Sequence, residues 1–454
     1  LQLFELRILS LICNLEFDIH FSPMILFLLT ILTLLYIFYS RPFWGVSLVT
    51  ALAFFHEWQL DLSQFSGTRS IPFLSSLNAP VVDFVALVAI IALVISYLTG
   101  KINWRRLPRS YFYIFGAYFL YLIFAGISAL GAFDHEVSTS LKFLARAEVF
   151  VFLAYLAYPL ALIDSEMKMQ KISRIMIGVG LFSALFGVVS VLVNYFSGID
   201  LPLWRITPIS FWGFAPFGSN HNLLAEALIV TFPFALWPAL RTRVRLIQFV
   251  AIVIALVALL TLSRAAWLAF FVICAFAIYE FRFSLRDYYL SRRRGANVVI
   301  AVVAVVVGLY MAYFLTTSSI VSSSNFARFE VTRIALFYTA RAPLIGHGPG
   351  MFIPILTDTA AYGLEFGDPL ESHGFMQKIL LENGILGLAL FLIFIYLAFR
   401  AVRRDNFHNW YLSAARASAA GIVVFELFNT SYFTSVMFLP LGLMLAAGLL
   451  YEKN

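Results

Sequence analysis

Long apolar runs dominate the chain, and short polar stretches punctuate them. The runs fall at about 24–40, 42–56, 81–99, 111–131, 141–163, 175–197, 223–240, 246–262, 265–281, 297–316, 376–398, 411–430 and 433–451. Most approach the ~20 apolar residues that a helix needs to cross a hydrocarbon layer roughly 30 Å thick. The first two are short and meet at Arg41-Pro42, where the pattern allows either two short helices or one broken hairpin. The pattern predicts an all-α polytopic transmembrane bundle of about 12–14 helices, forming a single membrane domain over 1–454. Two non-spanning stretches are long, 198–222 and 317–375. Long loops on a rigid scaffold are where binding and catalysis concentrate, so 317–375 is the expected home of the site. No internal repeat of the kind that marks many secondary transporters is visible.

The polar punctuation is asymmetric. Lys101, Arg105, Arg106 and Arg109 form one basic loop, and Arg241, Arg243 and Arg245 a second. Arg282, Arg286 and Arg292 to Arg294 form a third, and Arg400, Arg403 and Arg404 a fourth. If the runs alternate, all four lie on one side, which the positive-inside rule makes the cytoplasm. The opposite side receives 57–80, 132–140, 198–222, the tight turn at 263–264, and 317–375.

Composition agrees with a lipid solvent. Hydrophobic residues make up 62% of the chain and charged ones 12%, against about 25% charged in soluble domains. The mean hydropathy is +0.90. The net charge of +7 is what basic cytoplasmic loops produce and does not require nucleic acid as a partner. Cys13 and Cys274 lie in apolar stretches without spaced partners and read as packing residues. Residues 1–22 lack the basic leader and small-residue cleavage site of a signal peptide.

Arginines on the non-cytoplasmic side run against the orientation rule, so each asks for a reason. Arg205 stands in the first long loop and Arg264 in a turn too short to leave the membrane. Arg328, Arg333 and Arg341 stand in the long loop. A charged side chain at membrane depth costs roughly 2.5–3.5 kcal/mol and usually faces a cavity or a ligand. A guanidinium fork suits diphosphate oxygens. The ordinary alternative is pairing with loop carboxylates or lipid headgroups, and for Arg333 and Arg341 that is the preferred reading. What favours function for the others is that separate segments deliver them to one face.

His373, in Glu371-Ser372-His373-Gly374 directly before a helix, is placed to act as a general base, with Glu371 or Asp368 to orient it. Its structural alternative is an interfacial cap. His347 lies in Gly346-His347-Gly348-Pro349-Gly350, where turn chemistry brings backbone close to a neighbour, and is a supporting candidate. No metal is expected, since no His-x-x-x-His, paired-Cys or Asp-x-Asp spacing lies on that face. No Walker-type loop is present, and no cofactor is implied.

At these residues the chain resembles the O-antigen ligase and polymerase family of bacterial membrane glycosyltransferases. Thr261-Leu262-Ser263-Arg264-Ala265-Ala266-Trp267 is similar to the family's Ser-Arg-Gly/Ala turn. From Arg328 to Pro349, an Arg, an amphipathic helix and then Pro343-Leu344-Ile345-Gly346-His347-Gly348-Pro349-Gly350 follow the family spacing. His373 followed by Glu382, Gly384 and Gly387 resembles its helix start. Gly374 and Gln377 depart from the family's usual Asn and Leu. The resemblance covers about 261–390.

The resemblance implies an all-helical fold and transfer of a glycan from an undecaprenyl diphosphate carrier to an acceptor hydroxyl. Transfer would occur at the periplasmic face of the bacterial inner membrane, among membrane lipid, without metal and with inversion. It implies catalytic roles for His373 and Arg328 and diphosphate binding by Arg264 and Arg205, the last on location more than motif. The acceptor would be lipid A–core for a ligase or a lipid-linked repeat unit for a polymerase. A third reading is a transporter or flippase without covalent chemistry, for which Arg146, Glu148, Glu226, Lys378 and Glu426 would line a path.

Overall fold

The computed structural model describes residues 23–55, 57–61, 78–102, 106–197, 205–210, 214–242, 244–291, 319–359, 374–402, 409–429 and 435–451. The apolar run at 297–316, Glu371 and His373 lie outside them. Among the described residues the chain is all-α apart from a small antiparallel ribbon, β1 (Gln59–Asp61) with β2 (Asn78–Pro80). The helices are α1 (Pro23–Ser40), α2 (Pro42–Leu52), α3 (Val81–Leu98), α4 (Arg109–Leu130), α5 (Val137–Leu162) and α6 (Glu166–Phe196). They continue with α7 (His221–Arg241), α8 (Arg245–Leu260), α9 (Arg264–Ser291), α10 (Ser319–Thr339), α11 (Phe352–Asp358), α12 (Phe375–Ala401), α13 (Trp410–Glu426) and α14 (Ser435–Tyr451).

Six of these, α3 to α7 and α12, are long and apolar enough to cross a membrane. The first apolar pair resolves as two short helices that meet at Arg41, with Pro42 opening the second, where a missing N–H costs nothing. Within 317–375 the described backbone is largely helical. α10 is 21 residues long and starts upstream of Arg328, rather than following it as the sequence pattern indicates.

α7 is the central helix, its most apolar 18-residue stretch 89% buried, and its apolar residues run all round it as an enclosed helix requires. α13 packs against it through small residues (Ala414, Ala415, Ala417, Ser418, Gly421), which let backbones approach closely. Ser418 Oγ donates to the Val230 carbonyl at 2.7 Å across that interface. At one end of the bundle Glu280 of α9 accepts from Trp237 Nε1 (2.9 Å) and Ser413 Oγ (2.5 Å) and pairs with Arg241 (3.6 Å). Arg109, Arg245 and Arg400 lie at helix ends on this same basic face. The ends of α4, α6, α8 and α13 and the starts of α5, α7, α9 and α12 form the opposite face.

Two departures from α geometry shape that opposite side. α5 is π-helical over Leu144–Phe150 and Phe152–Ala157, a wider coil that recurs at functional sites. α12 breaks at Gly384, where φ is 66° and ψ −172°. A break in a spanning helix frees backbone groups that lipid cannot satisfy. Here the turn after α10 satisfies them. Ile385 N donates to Pro343 O (2.9 Å), His347 N to Leu381 O (3.0 Å) and Gly348 N to Glu382 O (2.8 Å). Ser128 Oγ of α4 adds a bond to Glu382 O at 2.6 Å. The two backbones touch, since a Cβ on Gly346 would lie 2.4 Å from Glu382 and one on Gly384 2.3 Å from the Leu344 carbonyl.

A small second core (Ala132, Val331, Ala335, Met351, Phe352, Leu381) seats α10 on this clamp. Replacement of Gly384 by Ala is therefore expected to lower stability by about 3 kcal/mol or more, from a left-handed φ plus a backbone clash. Thermal unfolding in detergent, with Gly116→Ala at an open position as the control, measures it.

Candidate functional site

Four side chains from four segments meet at the face opposite the basic loops. Arg205 precedes α7 on a stretch pinned at two points. Ile206 N donates to the Leu260 carbonyl (3.1 Å) and Ile209 N to Ser190 Oγ (3.3 Å). Its guanidinium donates to Nε2 of His221, the first residue of α7. A guanidinium only donates, so Nε2 presents its lone pair and the ring's proton sits on Nδ1. Asn220 caps the same helix by accepting from Asn222 N at 2.9 Å.

Arg264 opens α9 after a sharp reversal in which Leu262 takes φ 53°, a left-handed conformation that a branched residue adopts only under constraint. Its guanidinium donates to Asn325 Oδ1 of α10. Arg328 lies one turn further along α10, in line with the buried Val331 and Ala335, and so faces the body of the protein.

The charges acting on Arg205 and Arg328 are guanidinium charges. Burial and then the neighbouring Arg264 pull Arg205 below the ordinary arginine range. The same two causes, in the same order, bring Arg328 down to about 10. Among the described residues no carboxylate contributes to the field at either one. The Nε atoms of Arg205 and Arg328 are buried without a hydrogen-bond partner. The starts of α7, α9 and α12 open at this face, and each contributes the positive end of a helix dipole. The arrangement is suited to an anion carrying more than one negative charge.

The other sequence candidates divide. Arg333 pairs with Glu330 at 2.7 Å on the exposed side of α10, and Arg341 lies 4.4 Å from the Phe337 ring centroid, so both have structural partners. His347 is engaged at the clamp rather than at the arginines: its Nε2 donates to the Tyr338 carbonyl at 2.8 Å, with Phe133 and Tyr338 against its ring. Phe217 of the first long loop is buried against Phe55 and Phe186. Gln377, a departure from the family pattern, donates to Thr332 Oγ1 (2.7 Å), and Thr332 Oγ1 donates to the Arg328 carbonyl (2.7 Å). His221 and Asn325 are site residues that the sequence reading did not select. The available signal for His221 was its position directly after the helix-capping Asn220, on the face that receives the arginines.

Such a bundle of long apolar helices defines a multi-pass membrane protein. Residues 249–392 match the model of the O-antigen ligase family, and the resemblance read from 261–390 stands on that match. Over these residues the chain is similar to the O-antigen ligase family. The segment includes Arg264 and Arg328 but not Arg205 or His221. No curated protein matches the chain.

Two outcomes follow from three like charges held together. Arg328→Gln is expected to raise the melting temperature while weakening diphosphate binding, because the folded state is relieved of a disfavoured cation. The folded protein binds fewer protons here than the unfolded chain, so stability rises with pH from about 10 up to the ordinary arginine range. Diphosphate binding is expected to stay level from pH 7 to 9 and to fall above about 10 as Arg328 discharges. Calorimetric titration with a short-chain prenyl diphosphate reads the second.

Proposed function

We propose that the protein transfers a glycan from a polyprenyl (undecaprenyl) diphosphate carrier to an acceptor hydroxyl at the periplasmic face of the bacterial inner membrane. The observation that carries this reading is the convergence of Arg205, Arg264 and Arg328 around a site without a described carboxylate. A lipid-linked diphosphate supplies both the negative charge that such a site lacks and an apolar tail for the surrounding membrane. The family match supports the same chemistry.

In this mechanism the acceptor oxygen attacks the anomeric carbon from the face opposite the carrier, and the bond from that carbon to the phosphate oxygen breaks. The anomeric centre inverts. The diphosphate leaves with the bonding pair, and the guanidinium groups stabilise the charge as it develops. The acceptor's proton passes to His373. Support for His373 as that base comes from the engagement of two other histidines at this end of the bundle. His221 presents its lone pair to Arg205, and His347 is committed to the Tyr338 carbonyl. His221 then acts as a positioning residue, holding the Arg205 fork.

The ligase reading, with lipid A–core as acceptor, is preferred, and a polymerase of lipid-linked repeats uses the same donor site. The transporter reading has less support, because two of its charged residues have structural partners: Arg146 with Asp83 (3.7 Å) and Lys378 with Glu382 (4.0 Å).

His373→Ala is expected to abolish glycan transfer in a protein that still inserts, and unimpaired transfer would remove the proposed base. Arg328→Lys keeps charge but loses the fork, and a fall in kcat of about 10²-fold is expected. His221→Ala is expected to raise KM for the carrier more than it lowers kcat. In a deletion strain, polymer accumulating on its carrier identifies a ligase, and core bearing a single repeat identifies a polymerase.

A further inference from the structure

Away from the arginine site, the outer wall of the bundle is not uniform. Between α4 and α5 lies an apolar groove of about 730 Å³. Phe112, Gly116, Phe119 and Ile123 of α4 line it, with Val149 and Leu153 of α5. Two further lining residues are fixed against each other. The rings of Tyr118 and Phe152 stack at 4.2 Å with 10° between their planes, and the Tyr118 hydroxyl donates to the Glu148 carbonyl at 2.9 Å. Phe112 and Phe119 are each 63% exposed. Gly116 leaves a notch between them, since a Cβ there would meet nothing within 4 Å. Glycine weakens a helix relative to alanine, and no protein neighbour approaches closely enough to call for it here.

The groove has a length and a position. From Phe112 to Ile123 it follows about 17 Å of helix, close to half of a hydrocarbon layer roughly 30 Å thick. It begins one turn inside the start of α4, at the basic face, and ends short of the face that carries the arginine site. An acyl chain of the leaflet on the basic side matches that span. A chain entering from the arginine face would have to cross the midplane to reach it.

Charge at the end of the groove suits a phosphate. Arg109 stands three residues before Phe112 and so on the same side of α4. It is exposed, as is Arg106 just ahead of the helix. Among the described residues neither has an ion-pair or hydrogen-bond partner, whereas Arg146, Arg241 and Arg333 each meet a carboxylate. The first turn of α4 also holds no acidic residue. A cation at a helix start opposes the dipole, so the counter-charge absent from the protein is needed there most.

We propose that this groove binds one anionic diacyl phospholipid of the leaflet at the basic face. One acyl chain lies between α4 and α5, and the headgroup phosphate meets Arg109 and Arg106. The site is independent of glycosyl transfer and would stand if that reading failed.

The test uses the full chain in detergent at low salt, with lipid retention read by native mass spectrometry. The probes are dioleoyl phosphatidylglycerol and dioleoyl phosphatidylcholine, which share their chains and differ in net charge. The expected result is one retained phosphatidylglycerol, preferred over phosphatidylcholine by roughly thirtyfold for two arginines near the surface. Arg106→Gln with Arg109→Gln should abolish the preference. Gly116→Leu, which fills the notch, should lower phosphatidylglycerol occupancy several-fold. Should Gly116→Leu fail to fold, the exposed arginine pair decides alone. Equal retention of the two lipids overturns the proposal, as does a preference that survives loss of both arginines. Occupancy that folded Gly116→Leu leaves unchanged overturns it too, because the lipid would then sit elsewhere. Displacement of phosphatidylglycerol by a short-chain prenyl diphosphate overturns it in favour of a carrier lipid in the groove.

Discussion

Repulsion among Arg205, Arg264 and Arg328 is the constraint that the rest of this face has to meet. Guanidinium groups left to themselves spread into water, where their hydration is best and their mutual field is screened. Here burial and proximity act in the same direction on Arg205 and Arg328. The segments that carry them are accordingly held at the backbone. Arg205 sits next to an Ile206–Leu260 bond, Arg264 follows a left-handed turn at Leu262, and Arg328 sits on a helix locked to α12. The neutral groups that meet the cations, His221 and Asn325, offer lone pairs without offsetting the charge. Under the proposed function, this positive field is what a diphosphate would meet.

The helix break in α12 is what makes that locking possible. An unbroken α12 would keep its own hydrogen bonds and present the turn after α10 with side chains alone. By leaving helical geometry at Gly384, it exposes peptide groups that the 343–348 turn takes up directly. Such contact needs glycine on both sides, at 346 and 384, because any Cβ would strike the facing backbone. The carboxylate of Glu382 extends the clamp by accepting from Phe352 N at the start of α11 (3.1 Å). Glycine and glutamate in this motif therefore have a mechanical role. They fix the frame on which an arginine is displayed.

The arginine candidates could be picked from the sequence because lipid makes them anomalous: the orientation rule reserves arginine for one side, and Arg205, Arg264 and Arg328 lie at the face opposite the basic loops. Arg333 and Arg341 were already set aside as structural, and their neighbours, a glutamate one turn away and two aromatic rings, agree with that reading. Spanning helices were legible from run length. The break at Gly384 and the π-helical register of α5 were not, because both arise where tertiary contacts replace the local hydrogen-bond pattern. His221 was missed for a related reason. Nothing local distinguishes a histidine at a helix start from a capping residue until an arginine from another segment is found against it.

A single residue type thus does two kinds of work in this chain, and the partner tells them apart. Arg146 meets Asp83, Arg241 meets Glu280, and Arg333 meets Glu330. In each case a carboxylate accounts for the charge, and nothing is left over for a ligand. Arg205 meets an imidazole, Arg264 an amide, and the strongest charge beside Arg328 is another guanidinium. Under the proposed transfer, a carboxylate pairing with these forks would compete for them with the departing diphosphate, at the step where their charge is needed most.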